Sequence, residues 1–273
     1  WRALLGSNVV AVPLRNSLLL AATVAVTGTA VGFACAWVLV MVRPRGSAVF
    51  RTLAMLPMIA PPFMIALAAI MLFGRNGVIT RNVLLPLIGA NVPEIYGYGG
   101  LVLVQTLTFF PLSMLLLVGT LGALDPSLEA AAQNQGATPA RAFRDIVLPL
   151  AVPGILASML LLFVESLADF GNPLVLGGDF RVLSVAAFLR ITGEFDTAGG
   201  AVLATVLLVP ALVAFLVQRA LAERTAFATV TGRPAVERRA ATSGAARSAA
   251  AAIAVAVTAT VMLFFGIVVY GSL

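Results

Sequence analysis

An all-α, polytopic bundle of membrane-spanning helices is the fold class that this sequence predicts, and three observations predict it. The chain is 61% hydrophobic and only 10% charged, against about a quarter charged in soluble domains. Its mean hydropathy of +1.06 is too high for one water-solvated core. Its few charges also leave long intervals free of Asp, Glu and Arg, and a bilayer core needs about 20 apolar residues per helix. Six intervals meet or approach that length: 16–42, 52–74, 95–124, 146–164, 197–218 and 248–273.

The first interval is an uninterrupted apolar helix. The second, "TLAMLPMIAPPFMIALAAIMLF", holds Pro57, Pro61 and Pro62; each removes a backbone donor and crowds the preceding turn. That helix is expected to kink or break, and to face other helices that satisfy its freed carbonyls. Residues 82–93, "NVLLPLIGANVP", are too short to cross and read as an interfacial or re-entrant piece. The third interval is long enough without help. The fourth is short by charge count, and reaches about Leu176 if Glu165 and Asp169 are sheltered in protein. The fifth and sixth again qualify directly. Trp1, Tyr96 and Tyr98 stand where interfacial anchors belong, and Gly74-Arg75-Asn76-Gly77 and Gly177-Gly178-Asp179 read as turns.

All seventeen basic residues are arginine, and they divide unevenly between alternate loops. Eleven (Arg43, Arg45, Arg51, Arg141, Arg144 and six from Arg219 to Arg247) fall on one side, and six on the other. The positive-inside rule puts the richer side in the cytoplasm. Residues 1–16 are then an extracytoplasmic lead-in, 17–218 a transmembrane core with a cytoplasmic loop at 125–149, and 219–248 a polar cytoplasmic linker. Residues 249–273 form a further membrane helix. The start at Trp1, without a leader pattern, suggests a segment of a longer polypeptide.

The loop "LEAAAQNQGATPARAFRDIVLP", Leu128–Pro149, interrupts this oily chain with charges and amides at helical spacing. Asp125-Pro126 pairs a capping side chain with a proline at the first helical position, which starts a helix over roughly 126–135. Gly136 ends or bends it. Thr138-Pro139 starts a second short helix, with Ala140, Phe143, Ile146 and Val147 on one face and Arg141, Arg144 and Asp145 on another. The first helix offers Leu128 and then alanines, Glu129 and amides, with no base, which suits a protein groove better than a lipid surface; a loop-closing surface helix is the alternative.

The stretch resembles the EAA motif of the membrane subunits of binding-protein-dependent ABC importers, a motif that places three residues and then nine between E-A-A, G and I-x-L-P. Gly136 is followed by nine residues and then by Ile146-Val147-Leu148-Pro149. Ala130, Ala131 and Ala132 fall on the E-A-A positions, so Ala130 replaces the usual Glu, and Glu129 lies one residue earlier. The resemblance spans about Asn16 to Arg219. It implies a five-helix permease core in a bacterial inner membrane, with Glu129, Ala130, Ala131, Ala132, Gly136, Ala137, Arg141, Ile146, Leu148 and Pro149 contacting a cytoplasmic ATPase dimer. It also implies an extracytoplasmic substrate-binding protein and a second permease half or subunit, which the sixth helix would begin, as in the fused ferric-iron, thiamine and sulfate permeases. "SLADFGNPLVLGG" at Ser166–Gly178 and "FATVTGRP" at Phe227–Pro234 look most like ferric-iron permeases; polyamine, phosphonate, thiamine and inorganic anions are the alternatives.

Absences narrow the chemistry. Without Lys there is no Walker A motif, so ATP would be bound by a partner subunit and no cofactor is expected in this chain. Without His, and with Cys35 alone, zinc sites built on Cys and His and internal disulfides are excluded. Arginines lying between apolar runs argue against nucleic acid, and no nucleophile–base pair marks an enzyme. Glu165 and Asp169 share a helix face at i, i+4. They either line a translocation path, as carboxylates suited to a hard cation, or bond neighbouring helices and cap the turn at Gly171-Asn172-Pro173. The first reading would also allow an ion-coupled secondary transporter or a channel.

Overall fold

The computed structural model describes residues 8–61, 63–89, 94–226 and 244–272. Trp1 and the Phe227–Pro234 stretch lie outside them, as does most of the 219–248 linker. The described residues form an all-α bundle, with five helices long and apolar enough to cross a membrane and a bent helix pair that makes a sixth candidate.

Helix α1 (Asn8–Trp37) is the centre of the bundle and ends in a π-turn, Val38–Val42, closed by Arg43 N–H on the Val38 carbonyl at 3.0 Å. It begins earlier than the charge-free interval and carries Arg15 and Asn16 inside it. This N-terminal turn has work in the bundle: Val10 packs with Leu183, Ala187 and Leu203, and Asn16 Nδ2 donates to the Arg181 carbonyl at 3.0 Å.

The proline-rich second span is broken, as its sequence demands. Helices α2 (Ser47–Ala54) and α3 (Leu56–Ile59) form one limb, α4 (Met64–Phe73) the other, and the limbs differ in direction by 100°. Ala60 is extended at the break, the conformation imposed on a residue preceding proline. Ile65, Ala66, Ala68, Ala69 and Leu72 of α4 are buried, so this limb does face other helices. The interfacial piece follows as a short helix, a π-turn at Thr80–Leu84 running into α5 (Leu85–Ile88), with Leu87 and Ile88 exposed. An Arg75–Glu94 ion pair at 2.9 Å ties the two sides of its base.

Helix α6 (Tyr98–Ala123) packs along α1. The cytoplasmic-loop segment supplies α7 (Pro126–Asn134) and α8 (Pro139–Ala142), and a π-turn at Phe143–Val147 carries α8 without a break into α9 (Leu148–Ala168). The second short helix is therefore the beginning of the fourth span. The reason lies at Pro149, which has no N–H to give and whose ring crowds the carbonyl a turn earlier. Widening the turn relieves this, and Leu148 N–H bonds Phe143 O five residues back. Leu85-Pro86 repeats the device, with Leu85 N–H on Thr80 O.

Helices α10 (Gly171–Leu176) and α11 (Leu183–Thr192) lead to α12 (Thr197–Ala226), and α13 (Gly244–Gly271) closes the chain against α4 and α2, with Phe264 stacked at 6.3 Å on Phe73. The fourth span stops at Ala168 rather than reaching Leu176, because the backbone turns extended at Asp169.

Helices in lipid gain little from apolar contact and depend on close approach and interhelical hydrogen bonds. Both occur where α1, α6 and α9 meet. Gly28 and Gly32, four residues apart on α1, lie against Leu162 of α9 and Ser113 of α6, and Gly154 of α9 lies against Thr120. Beside them Ser158 Oγ donates to Ser113 Oγ at 2.6 Å and pairs with Thr29 Oγ1 at 3.2 Å. Thr27 and Thr106 share a 2.6 Å hydrogen bond, as do Thr23 and Tyr98.

Candidate functional site

Two places carry the residues singled out by sequence. At the arginine-rich end, Asp125 Oδ1 accepts the Ser127 N–H at 2.8 Å and starts α7 as a cap. Gly136 closes the helix at φ +93°, a left-handed geometry that penalises any Cβ. Two hydrogen bonds complete the closure, Gly136 N–H to Gln133 O at 2.9 Å and Ala137 N–H to Ala132 O at 3.0 Å. Thr138 Oγ1 then accepts the Arg141 N–H at 3.3 Å and starts α8.

The two helices differ in how they are held. No residue of α7 is buried; Ala130 and Ala131 are exposed, and Glu129 and Ala132 half-buried. The second helix is anchored to the bundle through buried Ala142 and Val147, and through Phe143 against Phe33 of α1 at 6.3 Å. Ile146 and Leu148 are half-buried on this anchoring side, and Pro149 is exposed. Arg141 and Arg144 face out and pair with Asp145 at 3.4 and 2.8 Å. Such exposed pairs add at most about 1 kcal/mol each, so their role is to keep this edge polar. The segment thus presents a small-residue helix, capped at both ends, on a rigid continuation of a membrane span.

At the opposite end of α9, Glu165 and Asp169 part company. Asp169 leaves the helix and is held from several sides. Its carboxylate accepts Gln105 Nε2 at 2.7 Å, Asn172 Nδ2 at 2.8 Å and the Asn172 N–H at 3.3 Å, and Ser184 Oγ donates to its backbone carbonyl at 2.9 Å. Ser166 Oγ donates in turn to Gln105 Oε1 at 2.5 Å. Asp169 therefore caps the Gly171-Asn172-Pro173 turn and fastens α9 to α6, the structural one of its two readings. Glu165 is half-buried, and among the described residues its carboxylate has no hydrogen-bond or ion-pair partner. The described residues contain no group of three or more His, Cys, Asp or Glu placed to hold a metal ion.

These positions respond differently to substitution. Asp169→Leu is expected to lower the melting temperature in detergent, because Gln105 and Asn172 would lose a charged acceptor in a buried setting, at about 1–3 kcal/mol. Glu165→Gln should leave the melting temperature unchanged and reduce uptake if Glu165 lines the path; normal uptake would remove it from the path, and failed assembly would make it structural.

Sequence reading missed Gln105 and took Asn172 only as part of a turn; both are fully buried. Scanning for charges passes over amides, and a glutamine in the middle of an apolar span was the available signal.

The profile of the family "Binding-protein-dependent transport system inner membrane component" matches residues 28–227. The ferric transport system permease protein FbpB of Actinobacillus pleuropneumoniae is 32% identical over 231 residues, covering 84% of this chain and 34% of that protein. The chain thus spans about a third of the length of this relative. The sulfate transport system permease protein CysT of Salmonella typhimurium is 29% identical over 216 residues, 78% of this chain and 76% of that one. A chain of a bacterial alginate ABC transporter, solved in complex with a periplasmic protein bound to an alginate pentasaccharide, superposes with a TM-score of 0.65 at 18% identity. That match covers 85% of this chain and 83% of the other, and at such identity it supports the fold alone.

Proposed function

Because the chain belongs to the inner-membrane components of binding-protein-dependent transport systems, we propose that it is a permease half of an ATP-driven importer, receiving substrate from a binding protein and driven by a separate ATPase. The observation that carries this reading is the segment 126–149. A short exposed helix closed by Gly136 leads into a second that is continuous with the fourth span, so a load on the first is delivered to a membrane helix. Glu129, the three alanines, Gly136, Ala137 and Arg141 would meet the ATPase, while Ile146, Leu148 and Pro149 transmit the motion. Helix α13, packed on α4 and α2, would begin the second half.

Ferric iron is the proposed substrate, supported by the 32% identity to a ferric permease and by the Ser166–Gly178 stretch; sulfate, molybdate, thiamine, polyamine or phosphonate would be the alternatives. A secondary transporter using Glu165 and Asp169 as its ion-coupling pair is disfavoured by the fixed hydrogen bonds of Asp169.

The test is uptake into proteoliposomes holding the complete complex, binding protein and ATP. Radiolabelled ferric iron should accumulate, and an ATPase subunit without its nucleotide-binding lysine should abolish uptake. Uptake driven by an ion gradient without ATP would sink the importer reading; uptake of sulfate or molybdate instead of iron would sink the substrate alone.

A further inference from the structure

The turn between α11 and α12, at the end of the bundle away from the arginine-rich loops, contains a bulky residue in a conformation that bulky residues avoid. Phe195 has φ +54°, although Gly193 stands two residues away. A non-glycine residue held there costs about 1–3 kcal/mol and persists only when its surroundings over-determine it. They do so here. Arg190 Nε, on a side chain only 20% exposed, reaches Asp196 Oδ2 at 2.9 Å and Glu194 Oε2 at 3.6 Å. The Asp196 N–H donates to Arg190 O at 3.0 Å, Glu194 N–H to Leu189 O at 3.2 Å, and Asp196 Oδ1 accepts the Gly199 N–H at 2.8 Å. The Gly199 N–H and then the Arg190 guanidinium hold the Asp196 carboxyl below the usual range, so it remains charged at neutral pH.

What this framework displays is the Phe195 ring, 85% exposed. Backbone strain opposes the arrangement, and an exposed aromatic is not needed to connect two helices. A preorganised, protruding aromatic is instead the form taken by interface anchors, which fill a pocket on a partner at little entropic cost.

We propose that Phe195 is the anchor by which this face grips the substrate-binding protein, inserting into an apolar pocket with a basic rim. The inference rests on the importer reading above. The rim follows from charge: Glu194 and Asp196 flank the ring with side chains 67% and 38% exposed, and one arginine faces both. Two carboxylates beside the ring also disfavour anionic headgroups as its contact, and interfacial anchors in lipid are typically Trp and Tyr.

The experiment titrates the purified, substrate-loaded binding protein against the complete transporter in nanodiscs, for the unaltered complex and for Phe195→Gly. Glycine removes the ring and accepts the left-handed backbone, so the melting temperature should hold or rise while affinity falls about tenfold or more. A photo-crosslinking phenylalanine at position 195 should capture the binding protein. Unchanged affinity in Phe195→Gly, or capture of lipid or of the second permease half, overturns the assignment while leaving the importer reading intact. An unaltered complex that binds no binding protein overturns both.

Discussion

Gly32→Leu is expected to leave little folded protein in the membrane. A Cβ at Gly32 would stand 2.5 Å from Ser113 Cβ and 2.8 Å from the backbone nitrogen of Met114. The second contact decides the outcome, since a backbone atom inside a helix cannot swing aside. Helices α1 and α6 would have to separate, and the loss would extend to the Ser113–Ser158 and Ser158–Thr29 hydrogen bonds, which share Ser113 and its partner Ser158. Overpacking costs about 1–3 kcal/mol or more, and interhelical hydrogen bonds average about 0.6 kcal/mol each in membranes. Gly28→Ala is the graded comparison, because it meets the flexible end of Leu162 rather than backbone. Size-exclusion thermal melts in detergent should rank the unaltered protein, Gly28→Ala and Gly32→Leu in descending order. A Gly32→Leu protein that melts with the unaltered one would refute the close-packed α1–α6 contact.

Gly136→Val should do the opposite, sparing the bundle and removing transport. Nothing lies within 4 Å of a Cβ at this position, so the substitution meets no steric clash. Its cost is conformational: φ of +93° is foreign to a β-branched residue, at about 1–2 kcal/mol. Helix α7 has no buried residue to compensate, so its closing turn should rearrange while the membrane core remains unchanged. If the segment couples to the ATPase as proposed, ATP-dependent uptake should fall about tenfold or more with an unaltered melting temperature. Gly136→Asn should retain much of the activity, since asparagine tolerates left-handed geometry. Full uptake in Gly136→Val would separate this turn from coupling.

Much of the fold was legible because lipid imposes simple demands. Charge-free length located the spans, Pro57, Pro61 and Pro62 marked the break, and Asp125, Gly136 and Thr138 marked the loop helices by their capping chemistry. The misread boundaries have local causes. The fourth span could pass Asp169 only with both acids sheltered in protein, whereas Asp169 followed by Gly171-Asn172-Pro173 has the chemistry of a cap and turn. The first was started too late because Arg15 was counted as a loop charge, whereas tertiary contacts of Val10 and Asn16 carry the helix to Asn8. At the loop, spacing identified the segment but could not tell a second short helix from the start of a span, since the widened turn before Pro149 leaves no pattern in polarity. Gly28 and Gly32 show their meaning only when Ser113 and Leu162 arrive from other helices. Phe195 had no sequence signal at all, because a left-handed turn of this kind normally announces itself by glycine.

The uninterrupted helix from Pro139 to Ala168 has a mechanical consequence. Thirty residues at 1.5 Å each make a rod of about 45 Å, and near its middle Gly154 and Ser158 lie against α6. A rod pivoted at its centre moves its ends in opposite directions by similar amounts. A push of a few ångströms at Arg141 would therefore reappear, reversed, at the Asp169 clasp, and the strength of that clasp would set the force needed to move it.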